Sequence, residues 1–256
     1  MTNLKNKIIL ITGASSGIGM AAAKAFAQKG AQLILAARRI EKLRILSKEL
    51  EKKFRVKTLI IKLDVRKRSE VKKTVKEIPG NWRNIDILLN NAGLSRGLDK
   101  LHEGKIQDWE EMIDTNVKGL LYVSKEIIPL MVKRNKGHII NIGSIAGHEV
   151  YPKGNVYCAS KHAVDAITKG MRIDLVDTNI RVTTIDPGLV ETEFSIVRFH
   201  GNKEKAKAVY TGIEPLTPDN IADAIVYAAS TPENVVVAEM ILLANKQASS
   251  MVVHRS

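Results

Sequence analysis

The sequence predicts an α/β protein, a doubly wound parallel sheet with helices on both faces. Three observations point there. Short β-branched runs alternate with helical segments from one end of the chain to the other. The first strand runs into a glycine-rich turn that opens a helix. The chain has 256 residues, 45% hydrophobic and 26% charged, the size and composition of one large α/β domain. No repeat, low-complexity tract or linker divides it, so residues 1–256 read as a single domain.

The elements follow in order. Residues 7–12 read as a strand, and 18–29 carry small apolar residues at helical spacing, with Gly30 closing that helix. Residues 33–36 form a second strand. In 40–53, Ile40, Leu43, Leu46 and Leu50 recur at spacings of three and four, as an amphipathic helix requires. A third strand is expected over 58–63 and a helix over 69–78, with Ser69 as its N-cap. The alternation continues with strand 85–90, one long helix over 108–133 with Pro129 near its end, strand 138–142, helix 156–177, strand 180–185, helix 219–230 and strand 235–243. The least regular stretch, 187–218, has the look of a mobile loop over a site.

Composition excludes several functions. The one cysteine, Cys158, permits no internal disulfide, which suits a reducing compartment. No CxxC, HExxH or Cys/His cluster predicts a metal site. No apolar run reaches the length of a signal sequence core or a membrane span, so a soluble cytoplasmic protein without a membrane partner is expected. The net charge is +13, and residues 38–76 hold sixteen Lys/Arg against five Asp/Glu. That stretch contains a single aromatic, Phe54, so it offers no stacking platform and a nucleic-acid partner is not expected. Its basic character suits solvated helix faces and the attraction of an anionic cofactor.

The glycine turn places Gly13, Ser15, Ser16, Gly17, Ile18 and Gly19 between the first strand and the first helix. Its G-x-x-x-G-x-G spacing differs from the G-x-G-x-x-G fingerprint. The physics is shared, because glycine lets the backbone approach a pyrophosphate and the helix start presents free N–H groups. The fold expected is therefore of Rossmann type. The second strand ends in Ala36-Ala37-Arg38-Arg39. An acid there would bind a ribose 2′-hydroxyl; two guanidinium groups suit a 2′-phosphate. NADP is thus expected over NAD, with Arg38 the main contact and Arg39 the second.

Tyr157 and Lys161 stand four residues apart on one predicted helix face. An ammonium near a phenol favours the phenolate, which makes Tyr157 a candidate acid/base near neutral pH. Ser144 lies just past a strand end, where such sheets present site residues. Cys158 should point away around the helix and read as packing. His148 reads as a solvent-facing loop histidine, and Trp82 and Trp109 as packing.

Taken together, TGASSGIG at 12–19, Asn90-Asn91-Ala92-Gly93, Asn116, Ser144, Tyr157-x-x-x-Lys161 and Pro187-Gly188 resemble the short-chain dehydrogenase/reductase family in order and spacing. The stretches NIDILLNNAGLSRG, GHIINIGSIAG and PGLVETEFSIVRFHG resemble its NADP-dependent 3-hydroxy acid dehydrogenase branch, which acts on serine, L-allo-threonine and related acids. The resemblance implies that Asp64 and Val65 meet the adenine and Asn91 the ribose. It implies that Pro187, Gly188, Val190 and Thr192 cover the nicotinamide and pyrophosphate. It makes Tyr157 the catalytic acid/base, with Lys161 binding the nicotinamide ribose and lowering the tyrosine pKa. Ser144 would orient the reacting oxygen, and Asn116 would hold a water in a proton relay. It also implies a homo-oligomer, usually a tetramer. A carboxylate substrate needs a cation; Arg198 is the first candidate, with Lys153 and Arg96 behind it. The competing readings are a reductase of another carbonyl, such as a 3-oxoacyl thioester, and a nucleotide-binding protein without catalysis.

Overall fold

Seven parallel strands lie in the order β3-β2-β1-β4-β5-β6-β7 in the computed structural model, which describes residues 2–256. They are β1 (Ile8–Thr12), β2 (Gln32–Ala37), β3 (Thr58–Lys62), β4 (Ile87–Asn90), β5 (Gly137–Ile142), β6 (Ile180–Pro187) and β7 (Glu239–Leu242). The strand order reverses between β1 and β4, which opens a crevice at the carboxyl ends of those strands. β1, β4 and β5 are buried along their whole length, as a sheet covered on both faces demands.

Each face has its own apolar layer. On one, α1 (Gly17–Gln28), α2 (Ile40–Phe54) and α9 (Pro218–Ala229) cover the sheet through Phe26, Leu43, Leu50 and Ile225, all fully buried. On the other, α3 (Arg68–Glu77) and α5 (Leu120–Arg134) pack through Val71, Val75, Ile127 and Met131. The leucine spacing read in residues 40–53 is the buried stripe of α2. Gly30 follows α1 with φ +78, the left-handed geometry that suits glycine after a helix.

Five expectations change. Ser69 does not cap α3; the helix starts at Arg68, with Lys67 at the cap and no side-chain capping bond. The long helix over 108–133 is two helices, α4 (Ile106–Ile113) and α5, joined by a π-helical turn over Asp114–Gly119. Hydrophobic periodicity carries through such a turn, so the sequence pattern does not show it. Pro129 sits inside α5 without ending it. The last strand is only Glu239–Leu242, because the valines before it run along an exposed segment. Finally, 187–218 contains two short helices, α7 (Glu193–Arg198) and α8 (Lys203–Ala208), held by side-chain caps from Thr192 and Asn202. α6 (Asn155–Asp174) carries Tyr157 and Lys161 and packs beside the sheet. Among the described residues, no helix is long and apolar enough to cross a membrane.

Candidate active site

The crevice between β1 and β4 opens into a cleft of about 440 Å³. Its floor is the glycine turn. Gly13 (φ +68) and Gly17 (φ +51) take left-handed backbone. A Cβ on Gly13 would lie 2.8 Å from Asn91 Nδ2 and 3.0 Å from Ala92 Cα. A Cβ on Gly19 would lie 2.6 Å from the Gly13 carbonyl oxygen. Only glycine lets strand, turn and helix approach this closely, and the approach leaves the start of α1 facing the cleft. Asn91 serves the turn, because its Nδ2 donates to the Thr12 carbonyl at 2.9 Å and the Gly13 carbonyl at 3.3 Å. Gly13, Ser15, Ser16, Gly17, Ile18 and Asn91 line the cleft, whereas Gly19 and Asn116 support it from behind.

Beside the turn lies an anion cradle. Arg39 donates from Nε to Ser15 Oγ at 3.2 Å and from Nη2 to Ser16 Oγ at 2.5 Å. Its Nη1 is 2.7 Å from Glu193 Oε2, and Lys42 Nζ is 2.8 Å from Glu193 Oε1. Hydrogen bonds from Lys42 and Arg39 push the Glu193 pKa down to about 2. Two cations therefore converge where a negative group can sit, and two hydroxyls hold the Arg39 guanidinium in place. Arg38 stands outside this cradle, 3.8 Å from Glu111. Arg39 and Lys42 thus form the cradle, and Arg38 lines the cleft beside it. Asp64 and Val65 line the same end. The Arg66 guanidinium, bonded to the Asp64 carboxylate at 2.6 to 3.1 Å, holds that carboxyl below its usual range.

At the other end, Ser144, Tyr157 and Lys161 come together, all buried. Ser144 Oγ accepts from the Ala146 N–H at 3.1 Å and lies 3.4 Å from the Pro187 carbonyl oxygen. Lys161 Nζ donates to the Ile142 carbonyl at 2.9 Å and sits 6.0 Å from the Tyr157 ring centroid. Burial drives the Tyr157 pKa up, opposed by its Ser144 hydrogen bond and the Arg198 charge. The Lys161 ammonium is turned to a backbone carbonyl, and desolvation is the largest influence on the phenol. Burial also lowers the Lys161 pKa to about 8, against the opposing charge of Asp186.

Asn116 lies in the π-helical turn. Its Oδ1 accepts from the Leu94 N–H at 2.9 Å, and its Nδ2 donates to the Leu94 carbonyl at 2.8 Å and to Ser160 Oγ at 3.0 Å. Those bonds brace the 92–95 loop against α6 and use both Nδ2 protons, leaving one Oδ1 lone pair open.

The wall of the cleft is the 187–218 segment. Pro187 ends β6, Gly188 follows it, and the Leu189 N–H bonds Gln247 Oε1 at 2.9 Å. Val190 pairs with Leu216, and Thr192 caps α7. Phe194 meets the Tyr157 ring edge-on at 5.6 Å. The Arg198 guanidinium lies 5.3 Å from the Tyr157 ring, donates from Nε to Ser95 Oγ at 3.0 Å and bonds the Tyr151 hydroxyl through Nη2. Arg198 is therefore the cation brought to the reacting end. Arg96 is taken up by Glu111 and the Val197 carbonyl, and exposed Lys153 lies outside the cleft. Sequence reasoning missed Tyr151, Lys42 and Glu193. Their signals were a lone loop tyrosine and charges within charged runs, which no spacing rule separates from solvated surface. Cys158 is fully buried packing, as expected.

Comparison with known proteins bears on the same cleft. A family model described as short chain dehydrogenase matches residues 7–203. An NADP-dependent 3-hydroxy acid dehydrogenase of Schizosaccharomyces pombe is 45% identical over 256 residues, covering all of this chain and 99% of its own length. Sulfoacetaldehyde reductase 2 of Chromohalobacter salexigens is 41% identical, covering 95% of this chain and 96% of its own. Among solved structures, the closed form of serine dehydrogenase complexed with NADP+ superposes with a TM-score of 0.91 at 42% identity, covering 97% of this chain and 100% of that one.

Proposed function

The chain belongs to the short-chain dehydrogenase family, and on that premise we propose that it is an NADP-dependent oxidoreductase acting at the 3-hydroxyl or 3-oxo carbon of small 3-hydroxy acids. The single observation that carries the acid in this reading is Arg198, set against the Tyr157 ring in a buried corner of the cleft. A guanidinium there pairs a carboxylate while the hydroxyl one or two carbons away reaches Tyr157. The relatives named for 3-hydroxy acids and for serine support the same class.

The residues present fit NADP. The glycine turn is a cradle that a Cβ would fill, and Arg39, held by the Ser15 and Ser16 hydroxyls, already converges with Lys42 on a carboxylate where a 2′-phosphate would sit. When bound, the nicotinamide supplies the site that takes up or gives the hydride. The rest of the chemistry is the protein's. Arg198 fixes the substrate by its carboxylate. Ser144 Oγ orients the reacting oxygen. Tyr157 Oη takes the hydroxyl proton in oxidation and returns it to the carbonyl oxygen in reduction. Lys161 places a positive charge behind that phenol. Phe194 and Tyr151 exclude water around the proton transfer.

The test is an oxidation panel with NADP: serine and L-allo-threonine, matched alcohols without the carboxylate, and acetoacetyl thioester in the reductive direction. Turnover of the acids above the neutral alcohols supports the reading, and a thioester preference replaces it. A second reading, reduction of a small sulfonated aldehyde, rests on the 41% identical relative and on the same Arg198, since a sulfonate and a carboxylate make the same demand. Sulfoacetaldehyde belongs in the panel for that reason. The proposal extends to a cytoplasmic homo-oligomer. Its support is exposed apolar surface at Ile173 and Val176 beyond the middle of the chain and at Ile241 on β7; sedimentation equilibrium tests it.

A further inference from the structure

Behind Ser144, on the side away from the cleft floor, three ligand-type side chains face one another. Asp186 in β6 is 1% exposed. Its Oδ1 is occupied, accepting from the Ser144 N–H at 3.1 Å and from Thr184 Oγ1 at 2.9 Å. Its Oδ2 is buried and has no hydrogen-bond partner. That orphaned oxygen points at His148 Nε2, 3.4 Å away, which is buried and equally without a partner. On its other side His148 Nε2 is 3.4 Å from Glu239 Oε1, at the start of β7. All three ligand atoms lie within 4.8 Å of one another.

Burial without a partner, at this spacing, is what separates this cluster from an ordinary ion pair. Some pairs in the chain close tightly, as Arg96–Glu111 does at 2.7 Å, and others stay open at the surface, as Lys7–Asp86 and His102–Glu103 do at 3.6 Å, where water reaches the groups left apart. Here both gaps stay at 3.4 Å, and neither makes a hydrogen bond. Ligands at about 2.1 Å around one tetrahedral ion stand about 3.4 Å apart along each edge. The charge argues the same way. Two carboxylates, one of them fully buried, face a single imidazole, and a divalent cation offsets that excess of negative charge. Imidazole with two carboxylates is a ligand set that zinc accepts. Glu239 is the most exposed of the three, with 31% of its side chain open, and leaves a path for the ion and a coordinated water.

We propose that His148, Asp186 and Glu239 form a divalent-cation site of the zinc type that ties the segment after Ser144 to β6 and β7. The three positions are widely separated in sequence, which is why no motif announces them. The site is distinct from the cofactor cleft, which neither His148, Asp186 nor Glu239 lines. Its role is to pin the Ser144 backbone, through the Asp186 carboxylate, to two neighbouring strands.

Chelator-treated full-length protein titrated with Zn²⁺ alone, followed by calorimetry and by thermal melting, tests this. One equivalent is expected to bind with a Kd of about 10 μM or tighter, and a tenfold excess over Kd to raise the melting temperature by a few degrees. His148→Ala and Glu239→Gln are each expected to weaken binding about tenfold or more and to lose the thermal gain. His200→Ala, which removes a His–carboxylate pair elsewhere in the chain, is expected to bind like the parent. Co²⁺ in place of Zn²⁺ is expected to give the intense visible absorption of a tetrahedral site. Failure of the parent protein to take up one equivalent, or equal binding by all three variants, overturns the proposal and leaves an imidazole between two carboxylates with no ion. The parent measurement needs no variant to fold.

Discussion

The two ends of the cleft are built in different ways. The frame of the cofactor end is made of neighbours in sequence: a strand, a turn of four residues and the first turn of a helix, with Arg39 and Lys42 just past the next strand and Asn91 and Glu193 coming from farther along the chain. The substrate end is assembled from four distant segments. Arg198 reaches Ser95 and Tyr151, Arg96 reaches the Val197 carbonyl, and Gln247 reaches the Leu189 N–H. Backbone geometry shapes the first, and long-range side-chain bonds shape the second. A local arrangement survives changes elsewhere in the chain, whereas a corner closed by distant contacts depends on every segment that meets there.

Substitutions can break or sharpen that contrast. The largest effect is expected at the reacting end: Tyr157→Phe should lower kcat by about a thousandfold while leaving NADPH affinity unchanged, as read by fluorescence titration. Loss of nucleotide binding in that variant would tie the two ends together. Arg198→Ala should lower kcat/KM for serine by about 30-fold or more, the loss of a charged hydrogen bond, and change a neutral alcohol by less than about threefold. At the cofactor end, Arg39→Ala should raise KM for NADPH by about tenfold and spare NADH. Arg38→Ala should do less, because its guanidinium faces Glu111.

The pH profile separates the two directions of reaction. Oxidation needs the Tyr157 phenolate, and burial raises that pKa, so oxidation of serine should climb through the alkaline range. Reduction needs the phenol and should fall over the range where oxidation gains. An oxidation rate flat above pH 7 would show a base other than this tyrosine. The smallest effect belongs to Glu193. Its pKa is lowered from 4.5 to about 2, so the contribution of its pairs is complete above about pH 4.5 and disappears as pH falls toward 2. Glu193→Gln should therefore show a slightly lower urea midpoint at pH 7, with the difference from the parent vanishing at the acid end. The partners are more than a third exposed and screened by solvent, so the difference should also shrink in high salt.

How much of this was readable in the sequence follows from the same contrast. The strand–helix alternation, the leucine stripe of α2 and the glycine turn are local signals, and each stands where it was read. Ser144, Tyr157 and Lys161 also meet, because a strand end and one helix face fix them. The π-helical turn at Asp114–Gly119 was invisible, since one extra residue per turn leaves the apolar rhythm almost intact. The i,i+4 spacing of Tyr157 and Lys161 says that two side chains share a face, not where the ammonium turns; here it turns to the Ile142 carbonyl. The choice between Arg38 and Arg39 depended on Glu193, more than 150 residues away, and on the hydroxyls of Ser15 and Ser16. The helices within 187–218 depended on caps from Thr192 and Asn202, which look like ordinary loop residues.

α7 joins the two ends in six residues. Its first residue grips the cations at the nucleotide phosphate end, and its last lies beside the reacting ring. So short a helix moves as one body. Choice of coenzyme and choice of acid are consequently not separate dials on this enzyme. A redesign that swaps Arg39 to accept the unphosphorylated coenzyme also lets go of Glu193, and the tilt it allows is handed down the rod to Arg198.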